Sequence, residues 1–381
     1  MAQRYPGRIA ASFLDWRASQ IGDPIARLRF LRHAASTTSA PRKRSIRGHL
    51  ALCLVLIAAG TAAVHRGGTT ISAAPHPTPA AYVQNAARIW QVESTPEYET
   101  YSNGLRIEKQ FATPNRPRPR YRVFDRSQPA IERYQWRTQV AGIVFHTTES
   151  HMAPFERDAN DRLRRAGTSV LADVSTRRCY HYVIDRFGRV WRIVQESDVA
   201  WHAGKSVWAD ASGVYVNLND SFLGVSFEGR TQSDGTAADT ATEPQIHAAR
   251  LLTDMLRAKY RIPASNCATH AQVSVSSENM RIGYHTDWAG NFPFAQLGLP
   301  DNYQEPVPAL WTFGFEYDQI FIRVTGNRPW PGLTLAEQHI REQAALAGVS
   351  PAQYKQTLQQ RYRRILLALY AADEVQINNE S

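Results

Sequence analysis

Hydrolysis on a zinc ion needs three protein ligands of imidazole or carboxylate type and one position left open for water. The chain has 381 residues and 12 histidines, and three short stretches place such groups where a trio could form. The stretch "IGYHTDW" at 282–288 sets His285 and Asp287 one residue apart, shortly after His270 in "CATHAQ". His146 closes the apolar run "AGIVFH", and a ligand at the end of a buried strand is held rigidly, as a preorganised site requires. The candidate set is therefore His146, His270 and either His285 or Asp287. Any single histidine is more often a packing or surface residue than a ligand, so the reading rests on the combination.

The elements that would carry these residues alternate between strand and helix. "AGIVFH" at 141–146 and "FLGVSF" at 222–227 are short apolar runs of the buried-strand type. "YHYVIDRFGRVWRI" at 180–193 reads as a hairpin turning at Gly188, and 154–165 as a polar helix. From 242 to 260, Thr242 as N-cap, Pro244 near the first turn and apolar Ile246, Ala249, Leu252 and Leu256 predict an amphipathic helix. Strands and helices at this spacing imply an α/β fold, a mixed central sheet flanked by helices. Residues 139–300 form the predicted main domain. Ahead of it, 82–138 read as a lead-in subdomain with short β-prone pieces ("RIWQVE", "YRVFD"). The last part, 301–381, is a helical extension: 334–348 stops at Gly348, and 350–371 opens on Ser350-Pro351 with Tyr354, Leu358, Ile365 and Leu369 as its stripe. A packed helical hairpin is the expectation there, with binding to the wall or a partner as the alternative.

The N-terminal part differs in kind. The net charge is +10, but residues 1–49 hold ten Lys/Arg against Asp15 and Asp23, so the remaining chain is nearly neutral. A nucleic-acid partner is excluded, because no basic stripe exists outside that lead. The lead runs into "LALCLVLIAAGTAAV" at 50–64, roughly 22 Å as a helix and shorter than a roughly 30 Å hydrocarbon core. It reads as a short signal anchor, or as the apolar part of a cleaved signal, followed by a Gly/Thr/Ala/Pro linker over 65–81. Both readings keep the basic lead in the cytoplasm and export the rest to the cell envelope. Of three cysteines, Cys53 lies in the apolar run, which leaves Cys179 and Cys267 as the pair that an oxidising compartment could join.

The order "VFHTTES … CYHYVIDRFGRVWRI … AWHAGKS … NDSFLGVSFEG … THA … HTDWAGNFPF" resembles the zinc amidases of the N-acetylmuramoyl-L-alanine amidase class, which includes phage lysozyme-type amidases and peptidoglycan recognition proteins. The resemblance covers roughly residues 139–296, about two fifths of the chain. It implies one Zn²⁺ per chain, held by His146, His270 and Asp287. His285 then falls where many active members carry a lysine that contacts the reacting carbonyl oxygen. Tyr180 matches a tyrosine that assists catalysis, and His181 is a packing or supporting residue. In "WHAG", His202 would line the substrate cleft with Trp201 packed beneath it.

Three departures from the family pattern matter. Ser226 stands where the recycling branch has a strand glutamate, with Glu228 two residues on and so on the same side of a strand. His285 replaces the lysine and would titrate near neutrality. The inserted "VSVSSENMRIGY" lengthens the gap from His270 and leaves His285 as the competing third ligand. The implied function is hydrolysis of the amide between N-acetylmuramic acid and L-alanine in peptidoglycan; the alternative is a peptidoglycan-binding protein on the same scaffold without turnover.

Overall fold

The computed structural model describes residues 89–231 and 241–379, with side chains through residue 369. The first strands are β1 (Gln91–Ser94), β2 (Tyr98–Tyr101), β3 (Arg106–Glu108), β4 (Tyr121–Phe124), β5 (Tyr134–Arg137) and β6 (Gly142–Thr147). Helix α1 (Asn160–Arg177) leads into β7 (Tyr182–Ile184), β8 (Val190–Arg192), β9 (Val207–Asp210), β10 (Gly213–Val216) and β11 (Phe222–Phe227). Then come α2 (Glu243–Tyr260), β12 (Cys267–Thr269), α3 (His270–Val273), β13 (Val275–Ser276) and β14 (Arg281–Ile282). The extension contributes α4 (Pro308–Phe313), α5 (Gln319–Val324), α6 (Pro331–Leu346) and α7 (Pro351–Asn379).

Eight strands form one mixed sheet in the order β1-β2-β3-β8-β7-β11-β6-β12. Strands β7, β11, β6 and β12 run parallel, and every residue of β6 and β11 is buried, as in a parallel sheet covered on both faces. Alternation along β7 divides the two layers. Val183 joins Leu171 and Val174 of α1, while Tyr182 and Ile184 join Ala249, Leu252 and Leu256 of α2. A capping box starts α2: the Gln245 N–H donates to Thr242 Oγ1 at 3.3 Å, and the Thr242 N–H donates to Gln245 Oε1 at 3.0 Å. The predicted helix over 154–165 is α1, displaced toward the C-terminus. Its buried residues, Leu163, Leu171 and Val174, lie mostly in its second half, diluted by polar neighbours.

The lead-in strands are built into the main domain: β1–β3 extend the eight-stranded sheet through β3–β8 pairing, and β4 and β5 form a second, four-stranded sheet with β10 and β9. An ion pair fastens them: Arg192 of β8, buried, donates to both Glu99 oxygens of β2 at 2.7 and 2.9 Å. At the other end α6 and α7 pack as a hairpin, with Leu358, Tyr362 and Ile365 buried. Gly348 takes φ +68° at the turn, and the Gln353 N–H donates to Ser350 Oγ at 3.3 Å where α7 begins.

Cys179 and Cys267 are both free, against the pairing considered from sequence. Cys179 leads into β7 and Cys267 opens β12, with β11 and β6 between them. At about 4.8 Å per strand, that separation exceeds the reach of a disulfide. The 50–64 apolar run lies outside the described residues. Among the described residues, no helix is long and apolar enough to cross a membrane.

Candidate metal centre

His146 sits near the C-terminal end of β6, and β12, parallel to β6 on its far side, delivers His270 as the first residue of α3. Asp287 arrives from the opposite direction. The inserted segment folds into the β13–β14 hairpin and turns at Gly283 (φ +74°). The return path is tied to α3, because the Ala271 N–H donates to the Asp287 carbonyl at 3.1 Å and the His285 N–H to Ser274 Oγ at 3.0 Å. Trp288 holds a left-handed backbone (φ +58°), and its indole N–H donates to the His146 carbonyl at 2.9 Å. The two ends of the site are thereby locked together.

One nitrogen from each of His146 and His270 and one Asp287 oxygen lie within 4.8 Å of one another, all three residues buried. His146 Nδ1 is 3.2 Å from Asp287 Oδ2, and His270 Nδ1 is 2.8 Å from Asp287 Oδ1. Burial alone would raise the Asp287 pKa, but His270 and the contacts with both imidazoles outweigh it and hold the carboxyl well below its usual range. Burial, and then the neighbouring His270, push His146 down to about 4. At neutral pH the trio thus offers an ionised carboxylate and an uncharged imidazole, the protonation states that metal ligation needs. Two imidazoles and one carboxylate, gathered and shielded, fit Zn²⁺ with a position left for water.

His285 lies outside that trio; its ring stacks face to face on His270 at 4.6 Å with an interplanar angle of 19°. The near-neutral titration expected for it is also corrected: packing, and then His270, lower its pKa below the ordinary histidine value. The residue as a whole is exposed, which argues for a smaller fall in the same direction. Tyr180 lies beside the trio, its ring 5.1 Å from that of His146, and its hydroxyl donates to the Thr147 carbonyl at 3.3 Å. Burial and the Asp287 charge raise its pKa well above the ordinary value, so it remains a proton-bearing donor.

The "WHAG" expectation is inverted. Trp201 is 45% exposed and His202 only 7%; the histidine lies behind His146, with Nδ1 3.1 Å from His146 Nε2, while Trp201 stands at the surface beside Arg116 at 5.1 Å. In a turn, one residue step decides which side chain enters. Ser226 pairs in register with His146 across the parallel strands and is buried. Its Oγ makes no hydrogen bond of good geometry, although the Tyr180 hydroxyl is near enough to feel it. Glu228 leaves the site. β11 ends at Phe227, so the two-residue alternation lapses, and the Glu228 carboxylate instead accepts the Arg186 N–H at 3.1 Å. His181 is buried, accepting the Gly224 N–H at 2.9 Å on Nδ1, a packing role as expected.

Glu149 escaped the sequence reading. It has φ +48°, and its Oε1 accepts the Thr147 hydroxyl at 2.5 Å and the Thr231 N–H at 3.0 Å. Thr147 thus holds the Tyr180 hydroxyl through its carbonyl and the Glu149 carboxylate through its side chain. Burial of the carboxyl and then Asp287 raise its pKa, an effect tempered by the residue's exposed outer surface. The signal was an acid three residues beyond a strand-end ligand.

The C-terminal extension braces the ligand loop. The Trp330 indole donates to the Ala289 carbonyl at 2.8 Å, and the Tyr303 hydroxyl to the Trp288 carbonyl at 2.6 Å. Phe321 of α5 packs so tightly on Gly283 that a Cβ there would lie 2.3 Å from its ring.

Residues 136–287 match the family described as N-acetylmuramoyl-L-alanine amidase. The chain is similar to the N-acetylmuramoyl-L-alanine amidase AmiD of Escherichia coli K12, 36% identical over 112 residues, which are 29% of this chain. It spans only 37% of that relative's length. Among solved structures, AmiD from E. coli in complex with anhydro-N-acetylmuramic acid-L-Ala-D-γ-Glu-L-Lys aligns at 21% identity over 58% of this chain and 88% of that one, TM-score 0.35. AmpDh3 from Pseudomonas aeruginosa in complex with an anhydromuramic pentapeptide aligns at 23% identity over 42% and 58%, TM-score 0.32. The segment 136–287, which matches the N-acetylmuramoyl-L-alanine amidase family, is also the segment that carries His146, His270 and Asp287.

Proposed function

We propose that the protein is a zinc-dependent N-acetylmuramoyl-L-alanine amidase, hydrolysing the amide that joins the lactyl group of N-acetylmuramic acid to L-alanine in peptidoglycan. The observation that carries this reading is the buried cluster of His146, His270 and Asp287, inside the segment that matches the amidase family. Zn²⁺ bound there would supply Lewis acidity, polarising the amide carbonyl and acidifying a water molecule. The chain's own groups supply the rest. Asp287 balances part of the ion's charge, and Tyr180, kept protonated, is the donor placed to stabilise a developing oxyanion. His285, uncharged at neutral pH, borders the same space and can donate or accept only as a neutral imidazole. With Ser226 in place of a strand carboxylate, Glu149 is the nearby acid available to carry a proton to the departing amine. Tyr284, exposed and edge-on to His285 at 4.7 Å, offers an apolar wall for a glycan-peptide.

The export expected from sequence completes the proposal: the basic lead stays in the cytoplasm, the 50–64 run anchors the chain or is cleaved, and the amidase domain faces the wall where its substrate lies. The support is the charge asymmetry and the apolar run. Protease added to intact spheroplasts should digest the amidase domain; protection in the spheroplasts, lost only on their lysis, places it in the cytoplasm instead. For the chemistry, purified protein should contain close to one zinc and should release peptides with a free L-alanine amino terminus from sacculi. Tight muropeptide binding by a zinc-free, inactive protein would instead make it a binding protein.

A further inference from the structure

We infer that His202 is a positioning residue of the metal centre, accepting the Nε2 proton of His146 so that His146 Nδ1 is left bare and aimed at the ion. The inference rests on the zinc reading above and goes beyond the three ligands.

The chain of contacts determines where each proton sits. A neutral imidazole has one donor nitrogen and one acceptor nitrogen. His202 Nε2 lies 3.2 Å from the Phe222 carbonyl oxygen, which can only accept, so His202 carries its proton on Nε2. Its Nδ1 must then accept, and the group facing it at 3.1 Å is His146 Nε2. His146 therefore carries its proton on Nε2, and its Nδ1 presents a lone pair 3.2 Å from Asp287 Oδ2. Two acceptors face each other, an arrangement that a cation between them satisfies and that a metal-free site does not. In the opposite tautomer, His146 Nδ1–H would donate to Asp287, but His202 Nε2 would then turn a lone pair against the Phe222 carbonyl. The metal-bound form is the one in which every nitrogen is matched, and a fixed outer partner of this kind orients a ligand ring and raises its basicity.

The surroundings hold His202 in this pose independently of His146. The N–H groups of His202 and Ala203 both donate to Asn219 Oδ1, at 2.9 and 2.7 Å. The ring lies flat against β11 at Gly224, where a Cβ would stand 2.6 Å from His202 Cγ. The missing side chain at Gly224 is thus the floor on which the imidazole rests.

Zinc affinity, measured by competition with a chromophoric chelator, tests the assignment. His202→Leu keeps the volume and removes the acceptor; it should weaken zinc binding about 10- to 100-fold. His202→Asn retains an acceptor near the position of Nδ1 and should stay within a few-fold of the native chain. Gly224→Ala, which touches no ligand, should displace the ring and weaken zinc as the leucine variant does. Nitrogen-15 NMR of the zinc-loaded protein should find the His146 proton on Nε2. Native affinity in His202→Leu, equal losses in the leucine and asparagine variants, or a proton on His146 Nδ1 in the loaded protein would each overturn the inference. A native chain that binds zinc and shows the leucine–asparagine split but cleaves no muropeptide defeats the amidase proposal and leaves the positioning role standing. A native chain that binds no zinc defeats both.

Discussion

Replacing Asp287 by alanine, beside the same replacement at His285, separates a ligand from its neighbour. A structural zinc site binds with about 10–16 kcal/mol shared among its ligands, so each protein ligand carries on the order of 3 kcal/mol, and its loss should cost roughly a hundredfold in affinity or more. Asp287 contacts both imidazoles, at 3.2 and 2.8 Å, so its removal takes away the group that holds the two nitrogens together. His285 offers only a stacked face to His270 at 4.6 Å, a contact worth about 0.5–1.5 kcal/mol, or about tenfold at most. Chelator competition on both variants reads this difference directly. A parallel check is the zinc-induced rise in melting temperature, which should be nearly the same for the native chain and for His285→Ala and clearly smaller for Asp287→Ala, by the equivalent of about 3 kcal/mol of stabilisation. If His285→Ala loses the metal while Asp287→Ala keeps it, the stacking argument and the ligand assignment are both wrong.

Removing the Tyr180 hydroxyl as Tyr180→Phe should lower kcat by about 10²- to 10³-fold, as loss of an oxyanion donor does, with zinc content unchanged; unaltered kcat would demote it to packing. Glu149→Gln should likewise slow turnover without releasing zinc, and a variant that loses the metal would show the acid to be structural. The metal-free protein should lose stability as pH falls from 7 to 5. An unfolded histidine takes up a proton near 6.5, whereas folded His146 resists until about 4, so the unfolded state binds more protons across that window. His146 alone contributes about 2 kcal/mol to the loss over that range, readable from urea midpoints, and a flat profile would contradict the burial argument. Gly283→Ala faces both a left-handed backbone and a 2.3 Å approach to Phe321; it should destabilise by about 1–3 kcal/mol and also weaken zinc, since the loop carrying Asp287 must shift.

What could be read from the sequence followed from the range of the interactions. The buried runs ending in His146 and Phe227 are long enough to declare themselves as strands, and the Thr242 capping box is local chemistry, so both were legible. The third ligand was not separable on residue types alone, because the β13–β14 hairpin that returns Asp287 has two-residue strands, too short for any alternation. Trp201 and His202 were exchanged because their turn has no periodicity to say which side chain faces in; the empty floor at Gly224 settles that only in three dimensions. Glu228 was misplaced by extending strand parity one residue past the end of the strand. The brace from Trp330, Tyr303 and Phe321 was invisible for a different reason: helices at 301–381 announce their own apolar stripes but not the loop on which they press.

The central claim is most directly tested by digesting purified sacculi with the zinc-loaded protein and identifying the released fragments by mass spectrometry. Amidase action predicts stem peptides with a free L-alanine amino terminus and glycan strands that keep intact sugar linkages and gain lactyl carboxylates. New reducing sugar ends, or peptides cut within the stem or cross-bridge while L-alanine stays on muramic acid, would contradict it.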